Sequence, residues 1–349
     1  MPLPLLRLPF LALKEIFQST ELSDLILMAM LNRRLKNAMS AAKYPVNHLR
    51  FNLECHMLSI TTDFKKVVVK ALVAGQFSEE DAKKYPIKID KEMKTVATEK
   101  KRGEHLIYVI SRKRTPANRW ILFEWVSRFL LSFVTPKTFS LHCGSDDINL
   151  DNLFVWTLTN RFTSVRLNME RRIPISPKNL DFFLNDITAD ELLLGVWCTD
   201  ERYKYGGSNN VVPNIKKVCI NTNNWVDFHN FFGTLKFPTV ECRVPSYETI
   251  NQILKQWINK GDNTLESLFF DVGPRYMRRA EVLRGIDATP TSSTEKQLPR
   301  RCKFYLQDGV ELLDIKRNTD GRIATIGLHD RAVSLSVWAQ DQLEQVGNQ

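Results

Sequence analysis

The chain has six cysteines in 349 residues, and no two of them form a C-x-x-C pair. Cys55, Cys143, Cys198, Cys219, Cys242 and Cys302 are scattered along its length. Such spacing excludes a small disulfide-stapled scaffold and a zinc ribbon. It fits reduced thiols, and so a cytoplasmic or nuclear location. Long apolar runs are missing too. The apolar N-terminus is broken by Pro4, Arg7, Pro9, Lys14 and Glu15, and no A-x-A site follows, so neither a signal peptide nor a membrane span is expected.

Reactive patterns are equally scarce. The histidines at 48, 56, 105, 142, 229 and 329 form no HExxH or finger spacing. Cys55-His56 and His142-Cys143 are adjacent pairs, and neighbours on a strand point to opposite faces. Gly206-Gly207 sits in YKYGGSNN, which lacks the lysine of a phosphate loop. There is no G-x-S-x-G elbow. No catalytic residue, metal site or cofactor is therefore expected, and the chain reads as a binding protein rather than an enzyme. A hydrolase or transferase has only the chain's size in its favour. The net charge is +10, from 49 basic and 39 acidic residues, but no long basic run gathers it. Nucleic acid is accordingly not the expected partner. A basic repeat scaffold that binds nucleic acid or an acidic protein stands as the alternative.

What is present begins at the N-terminus. Pro9 is placed in the first turn of a helix. Leu13, Ile16 and Phe17 then recur at helical spacing. Ser23-Asp24 suggests a second helix start, with Leu25, Met28 and Ala29 following. Leu31, Leu35 and Met39 are expected to face inward on a basic third helix. About forty residues are near the lower limit for independent folding, so this piece needs a partner or a larger core.

Strands are expected in FNLECHMLSI, KKVVVKALVAG and HLIYVIS, and Lys83–Arg102 reads as an exposed charged excursion. RWILFEWVSRFLLSFV is a helix, with Trp120, Phe123, Val126 and Leu130 among its apolar positions. Beyond it an apolar-x-x-apolar-x-apolar unit recurs. Its middle apolar positions are 139, 165, 192, 218, 240 and 268, at steps of 26, 27, 26, 22 and 28. That is the period of a leucine-rich repeat, and Asn223 falls where such a repeat places its asparagine. Helical segments PKNLDFFLND and YETINQILKQWINKG lie between the strands, the second with an Ile250, Ile253, Leu254, Trp257 stripe and Gly261 as C-terminal cap. A doubly wound domain with coincidental spacing is the competing architecture. Residues 288–301 read as a loop, and Asp320-Gly321 as a hairpin turn.

The expected fold class is α/β: a helical module at 1–45, a mixed strand and helix region at 46–135, and a leucine-rich-repeat-like open solenoid of parallel strands at 136–349. In each repeat strand the residue between the last two apolar positions faces away from the core. These are Ser140, Arg166, Leu193, Cys219, Glu241 and Phe269. Two positions on come His142, Asn168, Gly195, Asn221, Arg243 and Asp271. From this set Arg166, Asn168, Leu193, Asn221, Glu241, Arg243, Phe269 and Asp271 are the candidate target-binding residues. Trp197, Trp225 and Trp257 are expected in the core.

LPFLALKEIF followed by LSDLILMAMLNRRLK resembles an F-box. INQILKQWINKGDNTLESLFFDV and DIKRNTDGRIATI resemble the type 2 F-box-associated domain of an expanded nematode F-box family, with Asp314-Ile315, Arg317, Asp320-Gly321 and Ala324-Thr325-Ile326 matching. Where many F-boxes have Val-Ser-Lys-Arg, this chain has Leu31-Asn32-Arg33-Arg34. The resemblance implies a substrate-receptor subunit of a Skp–cullin–F-box ubiquitin ligase. Leu8, Pro9, Leu13, Ile16, Phe17, Leu25, Met28 and Leu31 would meet the Skp adaptor, the cullin scaffold would follow, and the C-terminal domain would hold a protein target. No small-molecule substrate and no membrane partner are implied.

Overall fold

The computed structural model describes residues 8–63, 65–73, 83–89, 92–101, 104–111, 115–144, 150, 153–167, 173–207, 214–221, 224–259, 264–273, 276–291 and 310–339. It is a mixed α/β fold that opens with helices and continues into sheet. The chain divides into two compact units, Met1–Ser145 with Asn152–Thr163, and Asp146–Asp151 with Ser164–Gln349. Among the described residues no helix is long and apolar enough to cross a membrane.

The first unit starts with three short helices, α1 (Phe10–Ser19), α2 (Leu22–Leu31) and α3 (Arg33–Ala42). Pro9 is the N-cap of α1 and stands one residue ahead of its first turn. Helix α2 begins at Leu22, not at a Ser23 cap. Ser23 lies inside the first turn, buried, with no partner for its hydroxyl among the described residues, while Asp24 takes the acidic first-turn position. The α2–α3 junction is set by Asn32, whose side-chain oxygen accepts from the amides of Arg34 and Leu35 at 3.0 and 3.2 Å. That cap satisfies two donors that a helix start otherwise leaves open. It also ends α2 early. Leu35 and Met39 are buried as expected, but Leu31 becomes the last residue of α2 and faces solvent.

The sheet of this unit comprises β1 (Tyr44–Asn52), β2 (Met57–Thr61), β3 (Lys66–Val73), β4 (Lys83–Ile89), β5 (Glu92–Lys101), β6 (Glu104–Ser111) and β7 (Val134–Cys143). Their order is β7-β1-β2-β3-β6-β5-β4. The β1–β7 and β3–β6 pairs are parallel and the others antiparallel. Lys83–Arg102, read from sequence as an excursion, supplies β4 and β5. Val96 and Ala97 are fully buried there, and the Lys94 ammonium reaches the Ser111 hydroxyl at 3.1 Å. Charged residues on a wet sheet face cost little and blunt an edge, so charge density alone was a poor guide. Helix α4 (Pro116–Phe133) lies over β3 and β6. It is capped by Thr115, has Pro116 in its first turn, and buries Phe123, Val126, Leu130 and Phe133. Helix α3 packs on α4, with Lys36 over the Phe129 ring at 5.2 Å and Lys43 donating to the Ser132 carbonyl at 2.9 Å.

Strand β8 (Arg161–Leu167) carries the boundary between the units. The second unit continues with β9 (Ile173–Ile175), α5 (Pro177–Asn185), β10 (Thr188–Leu194), β11 (Val196–Cys198), β12 (Ile215–Ile220), α6 (Phe231–Thr234), β13 (Thr239–Arg243), α7 (Tyr247–Asn259), β14 (Ser267–Asp271), α8 (Arg279–Val282), β15 (Thr289–Pro290), β16 (Glu311–Lys316), β17 (Ile323–Leu328) and β18 (Ala332–Val337). Its main sheet runs β8-β10-β12-β13-β14-β18-β17-β16-β15. Strands β10, β12, β13 and β14 are mutually parallel. From β14 onward the pairing turns antiparallel, so the run of parallel strands ends there.

The sequence repeat sets the register. Leu192, Val218, Val240 and Leu268 stand directly opposite one another, and the row continues through Leu335, Ile326 and Leu313. All are buried. A one-residue slip anywhere would turn this whole row to the wrong face, which fixes the pairing strongly. On the buried side α7 contributes Ile250, Ile253, Leu254 and Trp257, all fully enclosed. Trp225 is fully buried as well, and Trp197 is half-buried. Asn223, Gly261 and most of the 288–301 segment lie outside the described residues. Asp320-Gly321 forms the turn between β16 and β17, with Gly321 at φ 75°, a conformation glycine adopts without strain.

Candidate functional site

Two surfaces hold the residues singled out by sequence. The first is the outside of α1 and α2. Pro9 and Leu31 are exposed there, and Leu8, Ile16 and Met28 are half-buried. Leu13, Phe17 and Leu25 point inward and form the module's own core. Sequence reasoning passed over Phe10 and Leu11, which are 49% and 74% exposed. Their signal was available, since both follow Pro9 directly and sit off the Leu13, Phe17 stripe. Among the described residues the exposed large hydrophobics are Phe10, Leu11, Leu31, Ile121 and Tyr276, so this small module carries most of them. Covering a side chain of this size gains about 1.5–3 kcal/mol.

The second surface is the helix-free face of the parallel strands in the second unit. Leu193, Cys219, Glu241 and Phe269 form one row across β10, β12, β13 and β14, continued by Ser334. Glu191, Lys217, Thr239 and Ser267 form the row beside it, and Arg243 stands opposite Asp271 beyond. Leu193, Glu241, Phe269, Arg243 and Asp271, named by the repeat pattern, thus share a face with Glu191, Lys217, Thr239 and Ser267, which it did not name, and Cys219, Thr239, Ser267 and Ser334 are buried in it. Arg166, Asn221, Arg243 and Asp271 are exposed, while Asn168 lies outside the described residues.

Its electrostatics form a chain. Arg166 lies 3.7 Å from Glu191, Lys217 is 3.6 Å from Glu191, and Lys217 is 2.7 Å from Glu241. Burial pulls the Lys217 pKa down, but the hydrogen bond and charge of Glu241, with Glu191 behind it, push it up and prevail. The Cys219 thiol donates to Glu241 at 2.9 Å. Burial, and then that carboxylate, push the thiol well above its ordinary range, so it stays protonated and unreactive. The apolar members are partly sheltered. Phe269 is half-buried with its ring 6.2 Å from His329, and His329 meets the Ser334 hydroxyl at 3.1 Å. The sequence alone placed Leu193 and Phe269 on an open face. The His329 ring beside Phe269 accounts for part of that shelter.

Among the described residues no group of three or more His, Cys, Asp or Glu side chains is placed to hold a metal ion. The arrangement suits recognition by shape, hydrogen bonding and paired charge. Compared with protein-family models, curated proteins and solved structures, the chain gives no match.

Proposed function

We propose that this chain is a non-catalytic substrate-receptor subunit of a Skp–cullin–F-box ubiquitin ligase. The outer surface of α1 and α2 binds the Skp adaptor. The helix-free face of the second unit, organised as a leucine-rich-repeat-like array, binds a protein target. The cullin scaffold is reached through the adaptor. The contribution to chemistry is positional, because holding a target near a charged ubiquitin carrier raises the effective concentration of its lysines.

The observation that carries the reading is the concentration of exposed Phe10, Leu11 and Leu31 on a module whose sequence resembles an F-box. Monomeric surfaces seldom gather large apolar side chains without a partner to cover them. The basic-scaffold alternative has less support. A groove that tracks phosphates needs a run of free cations, whereas Arg166 and Lys217 on this face are committed to Glu191 and Glu241.

The test is co-purification of the Skp adaptor and cullin with the full chain and with Leu11→Asp and Leu31→Asp variants. Both positions are exposed, so these changes spare the fold. Deleting the module instead would uncover α4 and confuse loss of binding with loss of structure. The variants are expected to abolish adaptor capture while keeping the wild-type melting temperature. Undiminished capture by both would overturn the reading.

A further inference from the structure

Away from the helix-free face, the second unit contains an open polar cavity of about 820 Å³. It is walled by the last turn of α7, the turn at residues 285–287 and the β16–β17 turn. Each wall is fixed from outside. The buried Asn251 amide donates to the carbonyls of Val282 and Arg284 at 2.7 and 2.9 Å, which holds the 285–287 turn against α7. The Asn318 amide donates to the Ile258 carbonyl at 2.8 Å, and the Asn318 side chain to Asn259 at 2.9 Å. A carbonyl at the negative end of α7 is thereby engaged rather than left facing the cavity.

Charge in the cavity is unbalanced. Arg317 is taken up by Asp320, which also meets Arg322. Lys255 and Lys316, by contrast, have no ion-pair partner among the described residues. They face the cavity from two of its walls, each beside a glycine in the left-handed region. A β-carbon on Gly285 (φ +65°) would lie 3.3 Å from the Lys255 Nζ, and one on Gly321 (φ +75°) 3.3 Å from Lys316 Cε. The glycines thus leave room for the two lysine stems. Asp287 lines the same space as a carboxylate with no partner among the described residues, so two free ammoniums stand against one free carboxylate.

We infer that this cavity is a binding site for a phosphate monoester. Two ammoniums on separate walls suit a group with three acceptor oxygens better than a single carboxylate, since each can bond a different oxygen. The volume exceeds that of a bare phosphate, so there is room for the organic group of the monoester as well. The inference stands apart from the ligase reading, because neither the adaptor nor the face around Glu241 takes part.

The test is amide NMR of the full chain during titration with N-acetyl-O-phosphoserine amide, N-acetylserine amide and inorganic phosphate. The phosphorylated compound is expected to give saturable shifts at the Gly285, Asn318 and Gly321 amides, and the unphosphorylated one none. Lys255→Gln/Lys316→Gln should weaken binding roughly tenfold or more, and Lys255→Arg/Lys316→Arg should restore most of it. Binding should also weaken with added salt. Inorganic phosphate binding in the same place supports the site, and its affinity relative to the phosphoserine amide distinguishes free anion from monoester. No saturable shift with either anion, or affinity unchanged in the Gln variant, would overturn the inference.

Discussion

Two regions of the molecule each enclose a basic side chain against aromatic rings, and they solve the problem in opposite ways. In the first unit His56 is 8% exposed, with its ring 4.5 Å from Trp120 and 5.9 Å from Phe123. Among the described residues neither ring nitrogen makes a well-formed hydrogen bond, and the Glu54 backbone beside the ring only partly offsets burial. Burial, with Arg119 close by, lowers its pKa from 6.5 to about 4, so at neutral pH it is an uncharged aromatic. In the second unit Arg317 is 1% exposed and lies 5.6 Å over the Trp257 ring. It cannot give up its proton, so it brings a counter-ion. Asp320 accepts from its guanidinium through both carboxylate oxygens, and that bond holds the carboxyl far below its usual range. A titratable group can shed charge to be buried, while a permanent cation must be matched.

The largest effect is expected at Arg317. Arg317→Ala leaves Asp320 without its main partner and opens space over Trp257. It should lower unfolding free energy by about 2–5 kcal/mol in urea melts, chiefly through lost packing of the buried side chain, because Asp320 is itself exposed and keeps Arg322. A loss below about 1 kcal/mol would mean that Arg317 does not anchor the β16–β17 turn.

Acid should separate the two regions next. Between pH 6.5 and about 4 the unfolded chain protonates His56 and the folded chain does not, so stability falls as pH drops through this window. The loss from this residue is at most about 3 kcal/mol. Asp320 stays ionised throughout, so Arg317 keeps its partner. His48 and His329 are also shifted down by burial and add in the same direction. Urea melts from pH 7 to 4.5 should show a flatter slope for His56→Phe than for wild type, and parallel slopes would refute the assignment.

The smallest effect belongs to the half-exposed ion chain on the repeat face. Glu241→Gln should cost about 1 kcal/mol or less, because Lys217 keeps Glu191 and the site is partly solvated. Timed alkylation of the native protein offers a finer readout. Cys55 is exposed and should react readily, while Cys219, buried and bonded to Glu241, should stay protected, and Glu241→Gln should speed its reaction only modestly.

The parallel array was legible because its signal is local. Leu192, Val218, Val240 and Leu268 each head a short alternating segment, and repeating the segment fixes the register. The α7 stripe was legible for the same reason. Strands β4 and β5 were not, since their charged residues hide an apolar pattern that has meaning only beside β6. Asn32 shows a different blind spot. It looked like a departure from a family pattern, and it is a helix cap. The interiors around His56 and Arg317, and the cavity between Lys255 and Lys316, depend on side chains distant in sequence, and no window of neighbouring residues contains them.

The reversal of strand direction at β14 has a consequence for growth. A stack of like strands has a free edge to which a further strand, or another copy of the chain, could add indefinitely. Here β18, β17 and β16 occupy that edge with alternating direction. The outermost strand among the described residues, β15, is two residues long and includes Pro290, which has no amide to offer a newcomer. Among the described residues, the parallel run therefore ends on this side in an antiparallel meander rather than in an open parallel edge.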